Sequence, residues 1–266
     1  MTVDQVGPVE SMDLDGYRLA YRDWGAPSAR PTVVLVHGIT SSSLSWIRVG
    51  PLLARAGRVI AVDLKGHGDS ARPAAGYEVA TQAREIAACC QRLELGQIDL
   101  IGHSLGGGVA LQMAVDQQVA IRRLVLEDAW LVAGENTPAQ RERQAATVGI
   151  SAAEADALAR PSRARGWSEA DVAGKVDAAV KGSPAAIVAT LLANAKRDQG
   201  PRLAQVAVPT LFLRAAQGSL VSAATTEQAQ ANPRIQVVTV EGSDHNIHRG
   251  RLEAFMAVLE PFLAGD

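Results

Sequence analysis

Cysteine is almost missing from this chain. Cys89 and Cys90 are the only two in 266 residues, and neighbours in sequence make a poor staple between distant segments. That excludes a disulfide framework and leads us to expect a reducing, cytoplasmic setting. Their surroundings, Ile86-Ala87-Ala88-Cys89-Cys90, read as a buried helix, so core filling is expected rather than metal binding or redox sensing. Aromatic residues make up only 4%. No run of about 18 apolar residues occurs, so no membrane span is expected. Met1 to Pro8 lacks the basic and apolar regions of a signal peptide. Net charge is −2, with no basic block, which argues against nucleic-acid and membrane-surface partners. Histidine is scarce too, at five, so candidates for a general base are few.

What is present is a chain that is 47% hydrophobic and long enough for one sizeable domain carrying a subdomain insertion. No internal repeat or low-complexity segment is apparent. Asp15-Gly16 separates two half-apolar runs and predicts a β-hairpin. Near-continuous apolar runs at 31–36, 58–64, 97–102, 123–127, 209–214 and 235–240 predict strands buried on both faces. Helices are expected around 46–56, 79–95, 105–118, 222–231 and 249–263, with Gly96 as a stop signal. Between about 130 and 200 no buried-strand run occurs. Thr137-Pro138-Ala139-Gln140, Ser151-Ala152-Ala153-Glu154, Ser168-Glu169-Ala170-Asp171 and Ser183-Pro184 mark helix starts instead. Several short alanine-rich helices are therefore expected as one insertion in an alternating strand–helix chain with a mainly parallel sheet.

The chemistry centres on Gly102-His103-Ser104-Leu105-Gly106. A G-x-S-x-G run between a strand and a helix is the setting in which the motif has meaning. Small residues at 102 and 106 allow a sharp turn that lifts the Ser104 hydroxyl from the sheet edge. The Leu105 N–H then lies at a helix start, where it can donate to a developing anion. A serine hydroxyl is a weak nucleophile and needs a base. His103 is expected to point away from its neighbour. His37 and His67 sit in glycine turns after strands. His245 lies after the last strand, on the rim where the carboxyl ends of parallel strands meet ligands. We take His245 as the base, with His248, expected as a partly exposed helix-start residue, as its competitor. The loop His37-Gly38-Ile39 opens on the same rim, and the Ile39 N–H is a second oxyanion donor.

The run His37-Gly38 after a strand, Asp63-Leu64-Lys65-Gly66-His67-Gly68-Asp69-Ser70, Gly102-His103-Ser104-Leu105-Gly106-Gly107, and Gly242 to His245 together resemble the α/β-hydrolase superfamily over nearly the whole chain. The resemblance implies an α/β fold with a mainly parallel eight-stranded sheet flanked by helices. It implies a core of residues 1–129 and 203–266, a helical cap at 130–202, a Ser–His–acid triad and no cofactor. Lys65 stands where relatives more often carry Arg, in a loop that reads as structural. The acid is where the sequence departs. Relatives usually place an Asp after the penultimate strand, but Arg214-Ala215-Ala216-Gln217-Gly218-Ser219-Leu220 contains none, and Gln217 falls at that place. Some branches carry the acid one strand earlier, which points to Asp128, with Glu127 beside it. A site in which Gln217 orients His245, or with no acid at all, stays open, and Asp244 is a poor candidate.

The rim loops and cap are expected to enclose an apolar pocket walled by Ile39, Leu105, Trp130, Leu131, Trp167, Leu191, Leu192 and Leu220. Arg160, Arg163, Arg165, Lys196 and Arg197 in the cap read either as partners for a carboxylate-bearing substrate or as solvated helix faces. The expected function is hydrolysis of a small-molecule carboxylic ester through an acyl-enzyme. The alternatives are cleavage of a C–C, lactone or amide bond by the same Ser-His site, and a non-hydrolytic receptor or cyclase on this fold. Haloalkane dehalogenation is disfavoured, since it needs Asp where Ser104 stands. The partner is a small molecule. Oligomeric state and substrate identity are not legible.

Overall fold

The computed structural model describes residues 6–14 and 16–265. Eight strands form one sheet: β1 Val9–Asp13, β2 Arg18–Trp24, β3 Thr32–Val36, β4 Val59–Val62, β5 Ile98–His103, β6 Ile121–Glu127, β7 Thr210–Ala215 and β8 Ile235–Val240. Their order is β1-β2-β4-β3-β5-β6-β7-β8. β1 and β2 pair antiparallel as the expected hairpin, with Asp13 opposite Arg18; Asp15 itself lies outside the described residues. β2 joins β4 antiparallel, and every later pairing is parallel.

Alternation along each strand divides the core into two layers. Val34, Leu100, Leu124 and Phe212 face one layer, and Leu35, Ile101, Val125 and Leu211 face the other. The first layer is covered by helices Val79–Arg92 (α2) and Leu105–Val115 (α3), the second by Val49–Leu53 (α1) and Leu252–Ala264 (α10). The helix expected over 46–56 is a 3-10 turn, Ser43–Trp46, followed by the shorter α1. The terminal helix breaks at Arg251 (φ −137°, ψ 50°), which separates a short helix, Ile247–Gly250 (α9), from α10. Cys89 and Cys90 are free thiols buried in the first layer, and burial raises both, Cys89 to about 12.

Between β6 and β7 run helices Pro138–Ala145 (α4), Ala152–Ala159 (α5), Glu169–Lys181 (α6) and Pro184–Ala193 (α7). Each starts where its signal stands. Thr137, Ser151 and Ser168 form reciprocal capping boxes with Gln140, Glu154 and Asp171, and Ser183 caps α7 through the Ala186 N–H. Such caps matter here because helices this short are marginal by themselves. A single bridge, Val132 to Asp198, closes the base of the segment. After β7, Ala223–Gln230 (α8) leads to β8. Among the described residues no single helix is long and apolar enough to cross a membrane.

Two close approaches fix the rim loops. A Cβ at Gly68 (φ +50°) would lie 2.3 Å from the Asp63 carboxylate, which binds the N–H groups of Ser43 and Asp69. A Cβ at Gly102 would lie 2.2 Å from the Gly106 carbonyl oxygen. Backbone atoms cannot retreat as a flexible side chain can. Gly102→Ala should therefore lower unfolding free energy by about 2 kcal/mol or more, as read from urea denaturation. A variant as stable as the parent would show that β5 and α3 separate readily.

Candidate active site

Ser104 occupies the single residue between β5 and α3. Its backbone is held at φ 54°, ψ −116°, a strained conformation for a residue with a Cβ. Neighbouring strands hold it there. The Ser104 N–H donates to the Glu127 carbonyl (3.0 Å), and its own carbonyl accepts from the Trp130 N–H (2.8 Å). The N–H groups of Ile39 and Leu105 find no acceptor among the described residues. The Ile39 loop is fixed through His37, whose Nε2 accepts from the Leu64 N–H (3.0 Å) while Nδ1 donates to the Gly38 carbonyl (2.7 Å). Burial pushes His37 down to about 4, so it serves there as a neutral cross-link. His67 is likewise buried, and bonded to the Lys65 carbonyl.

His245 follows β8 and borders the same cavity as Ser104. Among the described residues the Ser104 hydroxyl makes no hydrogen bond to the ring, a contact that is often long before substrate binds. The His245 Nδ1 donates to Asp128 Oδ2 at 2.7 Å. Asp128 directly follows β6, has φ 39° and is fully buried. Its Oδ1 also accepts from the Ala215 N–H (3.0 Å) and the Ser219 hydroxyl, and its Oδ2 from the Leu220 N–H (3.1 Å). Burial opposes the charge, but these four bonds, the first from His245, outweigh it and hold the carboxyl below its ordinary range. Of the residues weighed for orienting His245, Asp128 is therefore the one bonded to it. Gln217 uses its N–H on the Ser243 carbonyl and lies in a surface hollow beside Gly242 and Asp244.

Glu127 faces the other way. It is fully buried and bonds both the N–H (2.9 Å) and Nδ1 (2.8 Å) of His248. His248 is thus no partly exposed residue but a buried one, stacked on Trp46 with ring centroids 4.3 Å apart. Desolvation drives its imidazole well below the ordinary value. His103 makes no hydrogen bond to Ser104 among the described residues; it packs its ring 4.7 Å from that of His245 and donates Nε2–H to the His245 carbonyl at 2.9 Å. Asp244 turns to Arg165 (3.2 Å) and to the Asn246 N–H, and does not bond His245.

The cavity above Ser104 has a volume of about 570 Å³. Ile39, Trp130, Trp167, Leu191 and Leu220 line it as expected, with the segment between β6 and β7 supplying Trp130, Trp167 and Leu191. Leu131, Leu192 and Leu105 do not. Leu131 follows Trp130 and points oppositely, into the core; Leu192 is turned out to solvent, 53% exposed, one helical step from Leu191; Leu105 buries its side chain and offers only its N–H. Of the five cations considered in this segment, Arg165 alone borders the cavity. Arg160, Arg163 and Lys196 pair with Asp156, Glu169 and Glu135, and Arg197 bonds the Trp130 carbonyl. Two others reach the cavity unforeseen, Lys175 and Arg249. Nothing local in α6 marks Lys175, whereas Arg249 stands four residues beyond His245 in the same rim segment, a usable signal.

A profile described as alpha/beta hydrolase fold matches residues 31–249. The chain belongs to the α/β-hydrolase fold family. The crystal structure of E-2-(acetamidomethylene)succinate hydrolase superimposes with a TM-score of 0.81 at 25% identity, covering 97% of this chain and 99% of that one. Among curated proteins, an uncharacterized Mycobacterium tuberculosis protein is 41% identical over 114 residues, 43% of this chain. A soluble epoxide hydrolase from Corynebacterium sp. (strain C12) is 37% identical over 115 residues, also 43% of this chain. Those matches span only 33% and 39% of the relatives' own lengths. In this hydrolase-fold chain the segment between β6 and β7 supplies much of the wall of the cavity.

The lowered Asp128 carboxyl has a consequence for stability. A folded value below the unfolded one contributes stability above the usual carboxylate range, near about pH 4, which fades as pH falls through the folded value. Asp128→Asn should cost about 2 kcal/mol at pH 7, and the gap to the parent should close as pH falls from about 5 to about 2. Urea denaturation at a series of pH values reads this directly; a pH-independent gap would mean that the charge is not what these donors stabilise.

Proposed function

We propose that the protein is a serine hydrolase that cleaves small carboxylic esters through an acyl-enzyme, with Ser104, His245 and Asp128 as its catalytic residues. One observation carries this reading: a buried, charged carboxylate is bonded to the Nδ1 of an imidazole that shares a cavity with a serine on a strained strand–helix turn. With Nδ1–H committed to Asp128, Nε2 is the nitrogen left to take a proton. Ser104 Oγ attacks the ester carbonyl while His245 Nε2 accepts its proton. The Asp128 charge stabilises the resulting imidazolium, a role no amide could fill. The N–H groups of Ile39 and Leu105, both without protein acceptors, receive the oxyanion. The proton then passes to the leaving alcohol, and water, activated by the same histidine, releases the acid. Residues 130–202 act as the cap, walling the cavity with Trp130, Trp167 and Leu191.

A lactone or amide carbonyl would enter the same machinery, so the bond class rests on the leaving group alone. A non-hydrolytic role drew its support from the acid missing after β7. The Asp128–His245 bond removes that support.

A fluorophosphonate probe should label the folded protein at Ser104, with Ser104→Ala unlabelled. Asp128→Asn should lower kcat/KM on nitrophenyl esters by about three to four orders of magnitude. Folded protein that resists the probe and cleaves no ester, lactone or amide in a panel would sink the hydrolase reading.

A further inference from the structure

Cations gather on one side of the cavity, and no carboxylate among the described residues lines it. Arg165 is neutralised by Asp244 at 3.2 Å. Lys175 and Arg249 are not neutralised. The Lys175 ammonium donates to the Thr40 carbonyl (2.6 Å) and the Thr40 hydroxyl (3.1 Å). Both partners are neutral, and an ammonium has a third N–H to give. Arg249 is 2% exposed; its guanidinium lies over the Trp167 ring at 4.5 Å and donates to the Ser41 hydroxyl at 3.2 Å, while its Nε has no acceptor. The acids whose charge reaches Arg249, Asp171 and Glu127, make their bonds elsewhere: Asp171 through Oδ2 with Ser168 and Arg48, Glu127 with His248. Two desolvated cations that share a cavity and make no salt bridge among the described residues are costly in the free protein. Desolvation, with a smaller contribution from Arg249, pushes Lys175 down to about 7.

We propose that Lys175 and Arg249 form a carboxylate subsite for the ligand of this cavity. Their anchoring partners, Thr40 and Ser41, directly follow Ile39, the residue read above as an oxyanion donor. A carboxylate held there shares the cavity with a carbonyl placed at Ser104. On the hydrolase reading, which this step assumes only for the bond cut, the substrate is the half-ester or lactone of a short dicarboxylic acid. The guanidinium supplies a planar fork and the ammonium a point charge, a pairing suited to a small planar anion.

Glutarate is a suitable probe, since it binds without turnover. Calorimetric titration at constant ionic strength should show saturable binding to the wild-type protein. Arg249→Gln and Lys175→Gln should each weaken it by about tenfold or more, and Arg249→Lys should recover part of the loss. In parallel, the wild type should prefer the nitrophenyl half-ester of glutarate over nitrophenyl pentanoate, which replaces the free carboxylate by a methyl, by about tenfold in kcat/KM. That ratio should collapse in Arg249→Gln. Glutarate binding with no ester cleaved supports the subsite and overturns hydrolysis. Cleavage of both esters without preference, together with no saturable glutarate binding by the wild type, overturns the subsite and leaves hydrolysis standing.

Discussion

The carboxylate of Asp128 is the constraint on which the rim of this protein depends. It is a charge with no solvent, at the end of β6, in a backbone conformation that residues with a side chain seldom adopt. Four donors replace its water: the N–H of Ala215 at the end of β7, an N–H and a hydroxyl from the loop that follows, and the ring of His245 from the loop after β8. One buried group thereby sets the positions of three successive strand ends. The loop after β7 carries no acid because its role is the reverse of the usual one. Ala215, Ser219 and Leu220 donate to a charge instead of supplying it.

Beneath that rim lies a second layer, built largely of histidines that do not titrate near neutrality. Burial lowers His37, His67, His103 and His248 alike. Each is pinned by at least one hydrogen bond of its ring. His37 ties the end of β3 to Leu64, His103 holds the His245 carbonyl, and Glu127 clamps the backbone and ring of His248 against Trp46. The adjacent acids Glu127 and Asp128 serve opposite faces of β6, one steadying the floor beneath the site and the other facing it. A low-dielectric setting strengthens such bonds and makes a broken one costly.

Much of this is legible from the chain. Strand runs and capping residues announce themselves because they depend on neighbours a few positions away, as the boxes at Thr137, Ser151 and Ser168 illustrate. Ser104 and His245 are readable because glycine spacing and strand ends are local signals too. Lys175, in contrast, reaches the cavity only because α6 packs across the turn at Ser43–Trp46, and no pattern within α6 encodes that. His248, expected to be partly exposed, is buried for the same reason. Whether a histidine is a base, a strut or a surface residue depends on what is stacked on it, and Trp46 is some 200 residues distant from His248 in sequence. Leu131 and Leu192 were assigned to the wrong side by a single residue step, which is all that separates the two faces of an extended chain or the edge of a helix.

The bond from Lys175 to the Thr40 carbonyl has a bearing on how such a scaffold can be rebuilt. It crosses from the helical segment between β6 and β7 to the loop that carries the Ile39 N–H. The two parts are consequently not interchangeable pieces. Grafting a foreign helical segment onto this scaffold would reshape the recognition chamber and at the same time untether a loop of the scaffold itself, unless the donor brought a cation to the same spot.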